Sequence, residues 1–485
     1  MKILLINLPG TFDFKKIAKI QSSKSDCIEP LGILYIASYL RSKNVEVSLL
    51  DFNIFNRNKQ TPKTLNEMAE TILDEKIDMI AFSSYTATIV DLEKLCKKLK
   101  SKKDVTIIIG GQHATFTSQE ILNWGTVDFV VRGEAEETMH ELIKNISNSK
   151  KDFSTINGIS FIKNNKIIHA PDRDFISNLD EIPFPARDLV SDKYYSIGKR
   201  LSILTSRGCV FNCIFCTSPY FWNRKVRFRS IENIVDEINL FFSQHPDLPT
   251  GFHINFVDDN ITLKKERLSE LCKELKKIGY PWVAYSSIGT INSQSAKEMK
   301  QSNCIRLKFG IESGNARILK LINKTQTLTQ VTEVIQIVKK AGLQAHGTFI
   351  IGLPTETKND VLDTINFACS LNLDIAYFFV ATPYPGTGLM KYVDEAYNYI
   401  SIKNDKLILP NFFGKNGKIS TKEKKELLLK AYYDFYVKHK GRVVSELYYS
   451  ESNFEKKFEM LLKTISKNNQ ILNKKQEHNN ASKSN

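Results

Sequence analysis

Three of the chain's eight cysteines lie on one short segment, Arg207-Gly208-Cys209-Val210-Phe211-Asn212-Cys213-Ile214-Phe215-Cys216. The spacing is Cys-x3-Cys-x2-Cys. Three thiolates on one tight loop can hold three irons of a cubane iron–sulfur cluster. No fourth cysteine lies near in sequence, so the fourth iron would stay open to a ligand, as the open position of a catalytic zinc does. Zinc is the competing reading, but zinc sites come as paired Cys-x2-Cys or Cys/His sets and no partner pair is present. Cys27, Cys96, Cys272, Cys304 and Cys369 are scattered singly, the habit of buried core thiols.

A loop of this kind needs a scaffold, and the chain is long enough to supply one. Its 485 residues allow about two to four domains. With 42% apolar and 25% charged residues it has ordinary globular composition, which excludes a mostly disordered, collagen-like or disulfide-scaffold class. No apolar run approaches the ~18 residues a membrane span needs. The apolar N-terminal stretch Met1–Asn7 is too short for a signal peptide. A cytoplasmic, reducing location is expected. The net charge of +15 is mostly diffuse Lys, with no Arg-rich stripe interleaved with aromatics, so nucleic-acid binding is not expected.

The first 150 residues alternate strand and helix. Apolar runs at 2–8, 45–50, 79–82, 105–109 and 127–131 read as buried parallel strands. Polar or Gly-rich loops end them, and ligands bind at that edge of a doubly wound sheet. Residues 151–200 break the pattern as a connector, with a hairpin turn at Asn164-Asn165 and a Pro-rich stretch at 182–185. Strands restart at 201–205, 252–257, 282–286, 305–310, 346–351 and 374–380, with helices between them. This predicts a partial (β/α)6 barrel over 201–390 whose chemistry sits at the C-terminal strand ends. A Lys-rich helical region is expected over 391–466 and a disordered polar tail over 467–485.

The cysteine motif after the first strand of such a barrel resembles the radical S-adenosylmethionine (SAM) superfamily. In that family the cysteines hold a 4Fe–4S cluster whose open iron chelates SAM, and reductive cleavage gives a 5′-deoxyadenosyl radical. The resemblance implies Cys209, Cys213 and Cys216 as cluster ligands and Phe215 as the aromatic beside the adenine. Phe256-Val257-Asp258-Asp259-Asn260 falls where the family contacts the SAM amino group, which carboxylates suit; alone, Asp258 and Asp259 could simply cap the next helix. Phe309 to Gly314, with Glu312 and Ser313, matches the ribose and carboxylate motif. Gly347 to Glu356, with Gly347 and Gly352, matches the motif packed on adenine. Taken singly, Glu312 reads as a solvated loop residue and the glycines as turn residues. Trp222, Arg227 and Tyr384 follow the cluster loop and the last strand, and are assigned to substrate.

A doubly wound sheet ahead of this barrel resembles the cobalamin (B12)-binding subgroup. The loops implied to hold cobalamin carry Pro9 after the first strand, Ser83, Ser84 and Thr86 after the third, Gly110, Gly111 and Gln112 after the fourth, and Gly133 and Glu134 after the fifth. The chain lacks the Asp-x-His-x-x-Gly motif whose His ligates cobalt, so cobalamin is expected to bind without a His ligand. A sheet that only docks on the barrel is the plainer alternative. The resemblance implies a radical SAM enzyme that methylates an unactivated carbon of a small molecule, with an electron donor such as flavodoxin or ferredoxin. Cys216 to Trp222 and the following Arg227-Phe228-Arg229-Ser230 also resemble the anaerobic magnesium-protoporphyrin monomethyl ester cyclase branch, so oxidative cyclisation without methyl transfer is the alternative. A tRNA-modifying methylthiotransferase is a further rival, but it would carry additional N-terminal cluster cysteines.

Overall fold

The computed structural model describes residues 1–8, 28–52, 64–149, 152–393, 401–403, 406–408 and 418–439. Pro9, most of the 391–466 region and the 467–485 tail lie outside the described residues. Among the described residues the chain forms two large sheets, the first mostly and the second wholly parallel, each covered by helices.

The first sheet contains β1 (Lys2–Asn7), β2 (Glu46–Asp51), β3 (Met79–Ser83), β4 (Thr106–Gly110), β5 (Phe129–Val131), β6 (Ile159–Lys163) and β7 (Lys166–His169), in the order β2-β1-β3-β4-β5-β6-β7. Alternate β1 residues feed opposite cores, as the two-residue repeat of a strand requires. Leu4 and Ile6 pack with helices Leu65–Leu73, Ile89–Lys102 and Gln112–Leu122. Ile3 and Leu5 pack with Leu31–Ser42 and Glu136–Ser147. The strand order reverses between β1 and β3, which opens a crevice at the carboxyl ends. The connector hairpin forms at Asn164-Asn165, both with positive φ (50° and 60°). It is not a free link: β6 pairs antiparallel with β5 and extends this sheet.

The second sheet contains β8 (Arg200–Ile203), then, past a two-residue ribbon of β9 (Ser206–Arg207) and β10 (Arg227–Phe228), β11 (His253–Phe256), β12 (Trp282–Ser286), β13 (Cys304–Glu312), β14 (Gln344–Ile351) and β15 (Ile375–Val380). Its order is β8-β11-β12-β13-β14-β15, every pair parallel, so the six expected strands form an open barrel in sequence order. Leu201, Ile203, Ile254, Phe256, Leu307, Phe309 and Phe349 face outward into one core under the covering helices. The intervening residues face the lumen.

The edge strand β15 is covered by helix Thr421–Tyr433 and the turn after it. The Tyr436 hydroxyl donates to Ala376 O at 2.9 Å and accepts from Ala376 N at 3.0 Å, so a side chain saturates backbone groups an open edge would expose. Among the described residues no helix is long and apolar enough to cross a membrane.

The segment between the sheets locks them together. Ala186 N donates to Leu34 O at 3.1 Å. Arg187 lies between Glu29 (3.4 Å) and Glu237 (2.7 Å), all three buried. Burial pushes the Glu29 carboxyl up to about 7, even with Arg187 beside it. Desolvating such charges is costly unless each is paired, so the network demands one docking geometry.

Candidate active site

The cysteine loop leaves β9 at Gly208, whose φ of 106° no other residue adopts easily. An added Cβ there would run into the Lys225 carbonyl. Cys213 is buried and Cys209 and Cys216 are half-buried. The loop is stitched in place by Ile214 N to Ile322 O (3.1 Å) and Leu389 N to Ile214 O (3.0 Å). Phe215 packs in a small apolar cluster with Ile318, Leu319 and Leu353, which brings the cluster loop against the turn after β14. Among the described residues no three His, Cys, Asp or Glu side chains converge on one point as ligands of a single ion would.

Burial pushes all three thiols up, Cys216 to about 12. The Lys324 ammonium opposes the rise at Cys209 and Cys213. Ligation must therefore displace protons, and Lys324 is the cation placed to offset the charge that results. The donor set, its enclosure and this cation fit a thiolate-held cluster.

The carboxylates predicted near SAM separate into different roles. Asp258 is 1% exposed. It accepts from Thr205 N at 3.1 Å, Thr205 Oγ1 at 2.7 Å and Ser206 Oγ at 2.5 Å. It ties β11 to the end of β8, so its oxygens are engaged by backbone and hydroxyl donors of the barrel itself. Asp259 is exposed and accepts from Ser218 Oγ at 2.5 Å, so it is the open carboxylate of the pair.

Glu312 is 6% exposed and sits at φ 69°, at an irregularity in the β13–β14 register. A non-glycine residue held there is strained, a feature that concentrates at functional sites. Gly310 makes room for it, since a Cβ on Gly310 would strike the Glu312 carboxylate. Lys324 Nζ lies 3.3 Å from Glu312 Oε1, while burial pushes the carboxyl up.

Ser313 is fully buried, its hydroxyl 3.1 Å from Thr364 Oγ1 on helix Lys358–Ser370. Gly347 has Leu373 and Ile311 side chains where its Cβ would be. Both are buried in the packing beneath the sheet. Gly352 turns at φ 83° under the Lys424 side chain, and its N–H and that of Leu353 donate to the buried Glu356. It shapes the wall that Phe215 abuts.

At the edge of the first sheet, Ser84 is fully buried: its hydroxyl donates to Gly110 O at 2.8 Å and accepts from Ala114 N at 3.0 Å. A Cβ on Gly111 would lie 2.8 Å from Ser84 N, so glycine is what lets the β3 and β4 loops close on each other. Thr86 is buried with its hydroxyl 2.9 Å from His113 Nδ1, and burial lowers that imidazole to about 4. Ser84 and Thr86 therefore build the loop frame. Ser83, exposed Tyr85, Gly111, exposed Gln112 and Gly133 form its outer face. Those small and polar groups along the crevice fit the edge of a large cofactor.

Glu134 is not on that face. It holds Arg207 at 2.6 Å, Arg227 at 2.8 Å and Ile176 N at 2.8 Å, and Glu136 holds Arg207 at 2.7 Å. The motif read as cobalamin-binding at Glu134 is a clamp on the barrel. Arg227 is engaged there and lies over the rings of Phe175 (4.8 Å) and Trp222 (5.2 Å). Arg227 and Trp222 are half-buried, and Tyr384 is 44% exposed.

The two carboxyl edges face each other. Gln112 Nε2 donates to Thr217 Oγ1, directly after Cys216. Phe116 meets Phe221 edge-on at 6.4 Å, and its ring covers Gly386, where a Cβ would not fit. Sequence reasoning missed Lys324, Ser218 and the Arg207 clamp. Lys324 lies past the Glu312 motif on a loop with no spacing signal of its own.

Two family models match the chain, "B12 binding domain" over residues 21–143 and "Radical SAM superfamily" over 203–368. The uncharacterized methyltransferase PH0819 of Pyrococcus horikoshii is 34% identical over 447 residues, 91% of this chain and 93% of its own length. The cytidylyl-2-hydroxyethylphosphonate methyltransferase of Streptomyces wedmorensis is 27% identical over 80% of this chain and 81% of its own. The anaerobic magnesium-protoporphyrin IX monomethyl ester cyclase of Rubrivivax gelatinosus is 28% identical over 77% and 69%. Among solved structures, the radical SAM methyltransferase TsrM of Kitasatospora setae, with cobalamin and a 4Fe–4S cluster, superposes with TM-score 0.64 at 15% identity, over 80% of this chain and 73% of that one. OxsB with aqua-cobalamin and SAM gives 0.63 at 19% identity, over 77% and 53%.

Proposed function

The chain belongs to the cobalamin-binding radical SAM enzymes, and from that premise we propose that it methylates an unactivated carbon of a small molecule. The observation that carries the reading is the meeting of the two carboxyl edges across Gln112–Thr217 and Phe116–Phe221. A group held in the crevice of the first sheet would thus face the cysteine loop of the second. When bound, the cluster with SAM supplies one-electron chemistry at carbon and cobalamin supplies a transferable methyl group.

The chain's own residues do the rest. Cys209, Cys213 and Cys216 would hold the irons, and Lys324 would offset their charge. Asp259, oriented by Ser218, and Glu312, placed by Lys324, present carboxylates at the barrel mouth, where SAM carries an ammonium. Phe215 and the Gly352 turn would flank its adenine. Ser83, Tyr85, Gly111 and Gln112 line the edge on which cobalamin would lie. The Glu134–Arg207 clamp and the Phe116 contacts close the space between the sheets, which excludes water from reactive species. An electron donor of the flavodoxin or ferredoxin kind, and a cytoplasmic setting that suits the free cysteines among the described residues, complete the proposal.

The cyclase relative supports a second reading, oxidation without methyl transfer. Anaerobic reconstitution separates them. Cobalamin that co-purifies, 5′-deoxyadenosine formed from SAM, and transfer of label from methyl-labelled SAM to cobalamin are the results expected. Cleavage of SAM with no cobalamin bound would eliminate methyl transfer, and an intact cluster that never cleaves SAM would eliminate both readings.

A further inference from the structure

The lumen of the second sheet carries charges that the site above does not use. Arg306 and Lys308 alternate on β13 with Leu307 and Phe309, which belong to the outer core, so both point inward. Lys308 Nζ reaches Asn255 Oδ1 on β11 at 3.2 Å, passing the Tyr285 ring at 4.7 Å. Arg200 on β8 is close enough to add to the fall that burial gives the Lys308 ammonium, and to oppose the rise that burial gives the Tyr285 hydroxyl. Among the described residues no carboxylate pairs with Lys308, whose amine falls to about 8 through burial and its two Arg neighbours. His346 on β14 stands edge-on to Tyr377 at 4.5 Å, with its Nε2 buried and without a partner.

Beside these cations lie exposed aromatic rings. Tyr285, Tyr377 and Phe379 are 43%, 38% and 52% exposed, and Tyr377 meets Phe379 edge-on at 6.3 Å. Interior strand positions are normally filled by packed side chains. A cation without a counter-charge next to open rings is instead the lining of a ligand site.

We infer that the lumen binds the substrate through an oxyanion, a phosphoryl or carboxylate group held by Lys308, while its apolar part lies on Tyr377 and Phe379. Glu312 stands four residues beyond Lys308 on the same strand, roughly 13 Å at the strand rise. The reacting carbon would therefore lie several bonds from the oxyanion, at the barrel mouth. This deepens the methyl-transfer reading and rests on it for where that carbon must sit.

The test is calorimetric titration of the reconstituted full-length protein with phenylphosphonate, phenylacetate and benzyl alcohol. Both anions should bind and benzyl alcohol should be weaker by about tenfold or more, since a charged hydrogen bond is lost. The stronger of the two anions identifies the phosphoryl or the carboxylate source. Lys308→Met should weaken the preferred anion by a similar factor and Lys308→Arg should restore most of it, while Lys265→Met on an exposed helix start should change nothing. Phe379 is half exposed, so Phe379→Ser tests the aromatic part even if Lys308→Met fails to fold, and should weaken all three probes. No anion binding, equal affinity for benzyl alcohol, or unchanged affinity in folded Lys308→Met overturns the inference. Probe binding needs no turnover, so loss of SAM cleavage with binding retained would defeat the reaction assigned above and not this site.

Discussion

Arg207 Nη1 lies 2.6 Å from Glu134 Oε1, with both side chains buried. The pair joins the loop after the last parallel strand of the first sheet to the residue just before Gly208-Cys209. Arg207 also lies over the Tyr35 ring at 5.2 Å and binds Glu136. The docking of the sheets and the start of the cluster loop thus depend on the same guanidinium.

Removing one partner of that pair leaves a buried charge unmatched, at a cost of roughly 3–5 kcal/mol. Glu134→Ala should lower the unfolding midpoint strongly, and Glu134→Ala with Arg207→Met should recover part of the loss. Denaturant titration of both variants checks this. Strictly additive losses would show that the pair is not coupled.

Gly208→Ala should fold but fail to load iron, because its Cβ would displace the Lys225 carbonyl and with it the start of the cysteine loop. Iron analysis and visible absorbance after anaerobic reconstitution should show most of the cluster lost. A fully loaded Gly208→Ala protein would show that the loop tolerates the displacement.

Lys324→Met should weaken SAM binding more than cluster loading. The Glu312 carboxyl, already raised by burial, would lose the Lys324 countercharge beside it, and its pKa should rise further. SAM affinity of the reconstituted protein should fall by about tenfold or more, with Lys324→Arg close to wild type. Unaltered SAM affinity in Lys324→Met would remove Lys324 from the site.

Three imidazoles are buried neutral: His113 and His253 are lowered to about 4 and His346 to about 3, chiefly by burial. Their folded pKa values lie below the usual 6.5, so the stability they contribute is complete above pH 6.5 and is lost as pH falls through the folded values. Each should cost roughly 2 kcal/mol between pH 7 and pH 5. His346→Gln should therefore remove roughly 2 kcal/mol of the acid-side loss of stability over that interval, read as a smaller fall in urea midpoint than in wild type. An unchanged drop would show that His346 is protonated in the folded state.

Much of the architecture was legible locally. The six barrel strands announced themselves as apolar runs separated by helical spacing, and β13 and β14 fell within a residue or two of the expected positions. Cys209, Cys213 and Cys216 could be grouped because they share one loop. Helix Gln112–Leu122 was hidden because Gly110-Gly111 read as a loop, whereas Gly111 serves there as a helix start. Asp258 and Asp259 looked equivalent because adjacency in sequence carries no information on which side faces a cavity.

Residue types and short spacings therefore determined the two sheets, the cluster motif and the family. Tertiary structure decided what each charge does. Glu134 meets Arg207 across 73 positions, and Lys308 meets Asn255 across 53. Charge pairing depends on distance in space and on desolvation, and neither is written in the neighbouring residues. That is why a motif read as a cofactor contact became a clamp, and why diffuse Lys and Arg in the sequence became a cationic lumen.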